Sequence, residues 1–182
     1  TFGTERTEKI ISTENVKTTL CFYDVNGEEY LKNIGVEYAK TPFNNVFYAK
    51  NFIRNADYDK GLYTYQAIGS VAICDVVDPC GNLLDCCSAP GGKSILAAQM
   101  MGCKGKVLSF DLHPHRADLI RKSAEKMGVT NLETAAADST VLNETLRNSA
   151  DAIICDVPCS GIGIIRKKPD IRYNCVPYFR QK

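Results

Sequence analysis

Short apolar runs alternate with helical patterns through the second part of the chain. The runs typical of buried strands cover residues 83–86, 106–110, 132–136 and 152–155. Apolar positions at intervals of three and four predict intervening helices over residues 93–101 and 116–127, each followed by a glycine stop signal. This alternation of strands and helices predicts an α/β fold with a doubly wound, mostly parallel sheet.

The earlier part of the chain follows a different pattern. The elements predicted there are strands over residues 9–12, 36–39 and 46–49 and a helix over residues 27–34. A further helix over residues 68–76 is ended by Asp78 and Pro79 and leads into the alternating part. We therefore expect a small α+β subdomain over residues 1–60, followed by the main domain over residues 61–182.

Composition narrows the class of protein. With 22 Lys and Arg against 21 Asp and Glu, the 182-residue chain carries a net charge of +1, so nucleic-acid contact would need a local basic patch. No apolar run approaches the roughly 18 residues of a membrane span. Nine cysteines occur with only two histidines and without any Cys-x-x-Cys pair, which argues against a zinc site. We expect a monomeric, cytoplasmic protein that binds neither metal nor membrane.

A glycine-rich turn, Ser88-Ala-Pro-Gly-Gly-Lys93, joins the first strand of the alternating part to the helix that follows. In open α/β sheets, nucleotide-like ligands bind at this place, outside the carboxyl end of the strand. A phosphate-binding P-loop would need a glycine where the chain has Cys87, and the spacing of a dinucleotide-binding fingerprint is absent. The turn is therefore poorly suited to ATP, GTP or NAD.

S-adenosylmethionine fits this turn better, because it presents a carboxylate and two ribose hydroxyls but no phosphate. The amides of Gly91 and Gly92, at the start of a helix, can bind the carboxylate. Asp111 ends the second strand and is placed to accept hydrogen bonds from the ribose, while Asp138, after the third strand, can border the adenine. Each acid alone could be a helix cap or a solvated loop residue, but with Asp156 three acids follow three successive strands.

The segment Asp156-Val-Pro-Cys159 follows the fourth strand and narrows the chemistry. Enzymes that methylate an exocyclic amine generally carry an aromatic residue after the proline, where this chain has Cys159. Carbon 5 of cytosine is a poor nucleophile, and addition of a thiolate at carbon 6 converts the ring into an enamine that attacks a methyl donor. A neighbouring acid, here Asp156, must interact with ring nitrogen 3 as charge develops there. The alternative is that Cys159 is only a turn residue.

Two segments together resemble one protein family. Residues 84–93, Leu-Asp-Cys-Cys-Ser-Ala-Pro-Gly-Gly-Lys, and residues 156–172, which begin Asp-Val-Pro-Cys-Ser-Gly, are similar to motifs of the RsmB/NOP family of RNA cytosine-5 methyltransferases. The resemblance covers residues 60–175 well, and residues 1–60 loosely resemble the small RNA-recognition-like subdomain of that family. It implies a Rossmann-like methyltransferase fold, S-adenosylmethionine as cofactor, and RNA, above all ribosomal RNA, as partner.

The resemblance also implies a role for each matching residue. The donor site would consist of Cys87, Ser88, Ala89, Pro90, Gly91, Gly92, Lys93, Asp111, Asp138 and Asp156. Cys159 matches the cysteine that assists release of the product, whereas the attacking cysteine of the family lies in a later Thr-Cys motif. No such motif occurs in residues 160–182, and the chain begins with Thr1 rather than Met, so we expect a fragment of the whole enzyme. In DNA methylation the Pro-Cys cysteine itself attacks, but the flanking residues here match the RNA family.

One concentrated basic segment follows the Pro-Cys motif. It consists of Arg166, Lys167, Lys168 and Arg172. Contact with RNA phosphates is the functional interpretation, and a solvated surface is the alternative. Within the enzyme class, transfer RNA is the alternative substrate to ribosomal RNA. From a different class, the chain could be an inactive donor- and RNA-binding module, if the encoded protein ends at Lys182.

Overall fold

The computed structural model describes residues 18–102 and 104–159. Its first part contains strands β1 (Thr18–Phe22), β2 (Tyr38–Lys40), β3 (Val46–Ala49) and β4 (Tyr63–Tyr65), with helices α1 (Gly27–Asn33) and α2 (Ala56–Asp59). The four strands form an antiparallel sheet in the order β2-β3-β1-β4. The predicted helix at residues 27–34 and the strand at residues 46–49 are confirmed. The strand predicted at residues 36–39 lies two residues later at its start, at Tyr38–Lys40. The predicted strand at residues 9–12 lies outside the described residues.

Aromatic packing stabilises this first sheet. Tyr63 is fully buried, and its ring centroid lies 5.2 Å from that of Phe52 and 5.8 Å from that of Phe22. Leu20 and Leu31 complete the same core. Rings at these distances bury large apolar surfaces and add favourable tilted or edge contacts. The sequence pattern does not reveal β1, because its apolar residues are consecutive and too few to show a period.

The second part of the chain forms a parallel sheet. It contains strands β5 (Asn82–Asp85), β6 (Lys106–Asp111), β7 (Leu132–Ala136) and β8 (Ala152–Ile154), with helices α3 (Ile68–Val77), α4 (Gly92–Met100) and α5 (Pro114–Lys126). All strand pairs are parallel, and the order is β7-β6-β5-β8. This arrangement confirms the predicted α/β fold class. Because the strands are parallel, the carboxyl ends of β5, β6 and β8 lie along one side of the sheet, here named the carboxyl edge.

Burial along β6 shows which face of the sheet the helices cover. Val107, Ser109 and Asp111 are buried, and the residues between them are less so. In α5 the buried residues follow intervals of three and four, as expected for a helix with one face on the sheet. The strand and the helix therefore each bury one face in the core. Asp111 is the buried residue of β6 at the carboxyl edge.

One hydrophobic core joins the two sheets. Cys21 and Val46 of the first sheet are buried in the same cluster as Val71 of α3, Leu83 of β5 and Leu96 of α4. Such a shared core couples the stability of the two sheets, because apolar surface of each is covered by the other part.

Of the described residues, 18–102 and 104–156 form one compact unit, and residues 157–159 belong to a second. A domain boundary at residue 60 stays a prediction; the first sheet takes β4 from beyond that position, where it pairs with β1. In the part of the chain that the structure describes, no helix combines the length and apolar character needed to cross a membrane.

Candidate functional site

The turn between β5 and α4 is built around Gly91. Its φ of 100° lies in the left-handed region, and a Cβ atom there would meet Ile120 Cγ2 at 3.0 Å. The Gly91 amide donates to the Ser88 carbonyl (2.7 Å), and the Ile95 amide begins the helical bonding by donating to the Gly91 carbonyl (2.9 Å). Only glycine combines this backbone conformation with the close approach of α5, so the turn requires glycine at this position.

Two polar side chains fasten the turn at its ends. The Ser88 amide and hydroxyl both donate to the Phe110 carbonyl at 2.9 Å, and the hydroxyl also reaches the Asp85 carbonyl at 3.0 Å. The Gln66 side-chain amide donates to the Gly92 carbonyl at 3.1 Å. Among the described side chains, none caps the start of α4. The amides of its first turn therefore form a place where an anion can bind.

Asp85 is the buried acid beneath the turn. It is 1% exposed, and its carboxylate accepts hydrogen bonds from the Ser94 hydroxyl (2.6 Å) and the Cys87 amide (3.3 Å). Burial raises the pKa of Asp85, while the hydrogen bonds from Ser94 and Cys87 and the charge of Lys93 act in the opposite direction. Sequence reasoning misses this residue; its only signal is an acid that ends an apolar run.

Asp111 connects β6 to the turn and to α5. Its carboxylate accepts hydrogen bonds from the amides of Ala89 (3.3 Å) and His113 (3.2 Å) and forms an ion pair with Arg116 at 3.2 Å. The Arg116 guanidinium also donates to the Ala89 carbonyl at 3.3 Å. It therefore spans the acid and the turn. Arg116 is also missed by sequence reasoning, because a charged residue on an exposed helix face carries no distinguishing signal.

Lys93 and Asp156 form an ion pair at the carboxyl edge. Lys93 lies in the first turn of α4 and Asp156 follows β8, so the pair ties the start of the helix to the end of the strand. The Asp156 side chain is 58% exposed, and an ion pair this accessible stabilises a fold by only about 0–1 kcal/mol. The ion pair therefore acts mainly by fixing the positions of the two side chains, and contributes little to stability.

Asp138 lies in a loop that is held to the same edge. Its carboxylate accepts hydrogen bonds from the Thr140 amide (2.9 Å) and hydroxyl (2.6 Å), and these bonds lower the pKa of Asp138. The neighbouring Ser139 hydroxyl donates to the Cys86 carbonyl at 2.7 Å and brings the loop to the end of β5. In this conformation the Asp138 carboxylate is engaged within its own loop.

The structure brings most of the predicted donor-site residues together. Residues 87–93, Asp111 and Asp156 lie around the carboxyl end of β5, and Asp138 lies in the loop held against that strand. Cys159 is exposed and belongs to the second compact unit. Four predicted RNA-binding residues lie outside the described residues: Arg166, Lys167, Lys168 and Arg172.

Within residues 18–102 and 104–159, no group of three or more His, Cys, Asp or Glu side chains is arranged to hold a metal ion.

Known proteins match this chain in sequence. The family model of the 16S rRNA methyltransferases RsmB/F matches residues 77–178, more than half of the chain. The chain is 39% identical over 123 residues to the probable ribosomal RNA small subunit methyltransferase B of Bacillus subtilis (strain 168). That match covers 66% of this chain but only 28% of the relative. The chain thus spans less than a third of the length of the curated relatives that it matches.

Solved structures match it in fold. The protein PH0851 superposes with a TM-score of 0.81 at 24% identity, over 94% of this chain and 42% of that one. NSun6 from Pyrococcus horikoshii, crystallised with SFG, gives a TM-score of 0.70 at 16% identity, over 88% of this chain and 68% of its own. At these identities the likeness shows the fold alone.

Proposed function

The chain belongs to the RsmB/F family of 16S rRNA methyltransferases, and on this premise we propose that it is the donor-binding part of an enzyme that methylates carbon 5 of cytosine in ribosomal RNA. S-adenosylmethionine is the proposed cofactor, and when bound it supplies the electrophilic methyl group. One observation carries the proposal: the glycine-rich turn, Asp111 and the ion pair of Lys93 with Asp156 meet at the carboxyl edge. This is the edge at which α/β sheets bind nucleotide-like ligands.

The start of α4 is the proposed binding place for the methionine carboxylate. Because the Gly91 amide is bonded to Ser88, we assign the carboxylate to the amides of Gly92 and Lys93, which precede the first helical hydrogen bond. The absence of a side-chain cap among the described residues leaves this place open to an anion. The remaining residues of the turn are proposed to line the donor: Cys87, Ser88, Ala89, Pro90 and Gly91.

Asp111 is the proposed partner of the ribose hydroxyls. A carboxylate offers about four acceptor positions, and Ala89, His113 and Arg116 use three of them at Asp111. One ribose hydroxyl can take the remaining position. A second can bind when Arg116, whose side chain is 42% exposed, moves away from the acid. Asp138 is proposed to border the adenine from its loop.

The cytosine end of the site is assigned to the residues after β8. Asp156 is proposed to interact with ring nitrogen 3, and Lys93 holds its carboxylate beside the donor site. Cys159 is proposed to assist release of the product, while the attacking cysteine is expected in a later motif of the whole protein. The proposed RNA-phosphate contacts are Arg166, Lys167, Lys168 and Arg172.

RNA that carries 5-fluorocytosine tests the reaction with the full-length protein. Fluorine at carbon 5 blocks the removal of a proton from that carbon, so the protein should stay covalently attached to the RNA on a denaturing gel. Methyl transfer to an amino group without any adduct would contradict the proposal. Ribosomal and transfer RNA, tested side by side, distinguish the two substrate classes.

Cys159→Ala tests the release role. We expect the adduct to accumulate even with ordinary cytosine, and turnover to fall by about 10²-fold or more, because removal of the carbon 5 proton is slowed. Cys80→Ala changes another exposed cysteine and is the matched control. A Cys159→Ala protein that releases RNA as rapidly as the wild type would show that Cys159 has no such role.

Asp111→Asn tests the ribose contact. We expect S-adenosylhomocysteine to bind about tenfold more weakly by calorimetry, because an amide replaces one acceptor oxygen with a donor. Asp118→Asn is the control, since Asp118 is an acid on α5 that pairs with Arg121 away from the turn. Equal affinities of the wild type and Asp111→Asn would count against the assignment.

A further inference from the structure

Two cysteines stand opposite each other where β5 and β8 end. The register pairs Leu84 with Ile153 and Asp85 with Ile154, so Cys86 and Cys155 follow as the next pair. The Cys86 amide donates to the Ile154 carbonyl at 3.0 Å, which continues the ladder by one bond. The strands are therefore still side by side at the two cysteines.

Strand geometry places both thiols on one side of the sheet. Side chains alternate along a strand, so Cys86 shares a face with Leu84, and Cys155 shares that face with Ile153. This is the less covered face, on which Ile153 is 60% exposed. Neighbouring strands lie about 4.7–4.9 Å apart, within the range of about 4.4–6.8 Å between Cα atoms that a disulfide requires.

The two thiols also interact directly. Burial raises the pKa of Cys86, and the Cys155 thiol adds to the shift through its charge and a side-chain hydrogen bond. Cys155 is the more exposed of the two, while Cys86 is partly covered. An oxidant from solvent would therefore reach Cys155 first and would find a second thiol beside it.

We propose that Cys86 and Cys155 form a redox-sensitive pair that closes to a reversible disulfide under peroxide. The pairing itself follows from the strand register; its effect on catalysis rests on the proposed function, because each cysteine directly precedes a residue of the donor site, Cys87 and Asp156 respectively.

The oxidation is balanced with hydrogen peroxide as the oxidant. The Cys155 thiolate attacks one peroxide oxygen, the O–O bond breaks, and the departing hydroxide takes up a proton to become water. The Cys86 thiolate then attacks the sulfur of the Cys155 sulfenic acid, and the S–O bond breaks with release of a second water. Two thiols are oxidised and one peroxide is reduced, and a dithiol reductant reverses the change.

Closure would alter the geometry of the donor site. The strand spacing already suits the Cα atoms of a disulfide, but the Cβ atoms must come to about 3.5–4.5 Å, so the two side chains and the backbone that carries them must turn toward each other. The end of β8 carries Asp156, which is paired with Lys93 at the start of α4. A displacement of about 1 Å in an active site can cost up to about 10²-fold in rate.

Peptide mapping of the full-length protein tests the pair without any donor or RNA. After treatment with hydrogen peroxide and digestion without reductant, we expect a cross-linked peptide pair that contains Cys86 and Cys155 and separates on reduction. The cross-link should vanish in Cys86→Ser and in Cys155→Ser, and should persist in Cys87→Ser and in the control Cys80→Ser. Linkage through Cys87, or oxidation of Cys155 without any cross-link, would overturn the proposal.

Activity gives the second measurement. The cross-linked wild type should lose about 10–100-fold in methyl transfer and regain it on reduction. Cys86→Ser and Cys155→Ser cannot form the cross-link and should lose less activity under the same peroxide treatment, their remaining loss reporting oxidation of the catalytic thiols. A cross-linked protein with full activity would overturn the regulatory part. Calorimetry of the reduced protein with S-adenosylhomocysteine separates the two proposals, because failure to bind would contradict the proposed function and leave the mapped cross-link intact.

Discussion

Asp85, like Asp111, is a buried acid of the site. Asp156 is mostly exposed and paired with Lys93, whereas Asp85 accepts hydrogen bonds from Ser94 and Cys87 beneath the turn. A buried ionised carboxylate is costly unless donors surround it. Asp85 therefore links the end of β5 to both the turn and α4 at some cost in stability.

The cost predicts a pH dependence. Because burial raises the pKa of Asp85 in the folded protein, its contribution to stability is fully present below the unfolded value of about 3.9 and is lost as pH rises through the folded pKa. The wild type should thus lose stability relative to Asp85→Asn as pH rises above about 4. Urea unfolding at several pH values measures the difference. Ser94→Ala, which keeps the acid, should retain the dependence, and a pH-independent difference for Asp85→Asn would refute the explanation.

Some residues of the site can be predicted from the sequence, and others cannot. Asp111 and Asp156 stand directly after apolar runs, and parallel strands bring their carboxyl ends together, so their proximity follows from fold class alone. Arg116 depends on the rotation of α5 against β6, and the buried state of Asp85 depends on which sheet face α4 covers. Those are tertiary properties that a local pattern does not contain.

At the level of elements, α4 begins where it does because of Gly91. Alanine at this position must adopt a φ of 100° and place its Cβ 3.0 Å from Ile120 Cγ2. We expect Gly91→Ala to destabilise the protein by about 2–4 kcal/mol through strain and displacement of α5. Gly102→Ala is the control: its φ is also positive, at 59°, but no atom lies within 4 Å of the added Cβ.

The control should lose only about 1 kcal/mol, the cost of the backbone conformation. The difference in urea midpoints between the two variants measures the contact with α5 together with the added strain of a φ of 100°, which lies outside the αL region that Gly102 occupies. Similar losses for Gly91→Ala and Gly102→Ala would mean that the conformation alone, and not the packing, requires glycine at Gly91.

Elements that are long enough to repeat their apolar pattern, or that end at a clear stop signal, are predicted to within two residues. The helices predicted over residues 93–101 and 116–127 are Gly92–Met100 and Pro114–Lys126 in the structure. By contrast, β1 and α2 are missed, because they are short and their stability comes from pairing and packing with distant residues. Local pattern carries information on an element only where that element is long enough to repeat.

For the whole molecule, the core shared by the two sheets predicts that they unfold in a single transition. Seven of the nine tyrosines lie at positions 23–65, so their near-UV signal reports on the first sheet. The three longer helices, α3, α4 and α5, belong to the second part and dominate the far-UV signal. Because Cys21 and Val46 are buried with Val71 and Leu96, both signals should change at the same denaturant concentration.

Val46→Ala sharpens this test. It should lower the free energy of unfolding by about 1–3 kcal/mol, since Val46 is 5% exposed in the shared core. The midpoints of both signals should therefore fall together. Val76→Ala removes the same groups from a side chain that is 83% exposed and should change stability by less than about 0.5 kcal/mol. Separate midpoints for the two signals would show instead that the sheets unfold independently.

The strand order β7-β6-β5-β8 limits what substitutions near the turn can alter. The chain leaves β5 to one side for β6 and β7, and returns to the other side of β5 for β8. β5 is therefore the topological switch point of the sheet, where connections diverge and open a crevice. The crevice is fixed by connectivity rather than by any one side chain. Exchanging residues of the turn can alter what the crevice accepts, but the crevice itself stays at the end of β5.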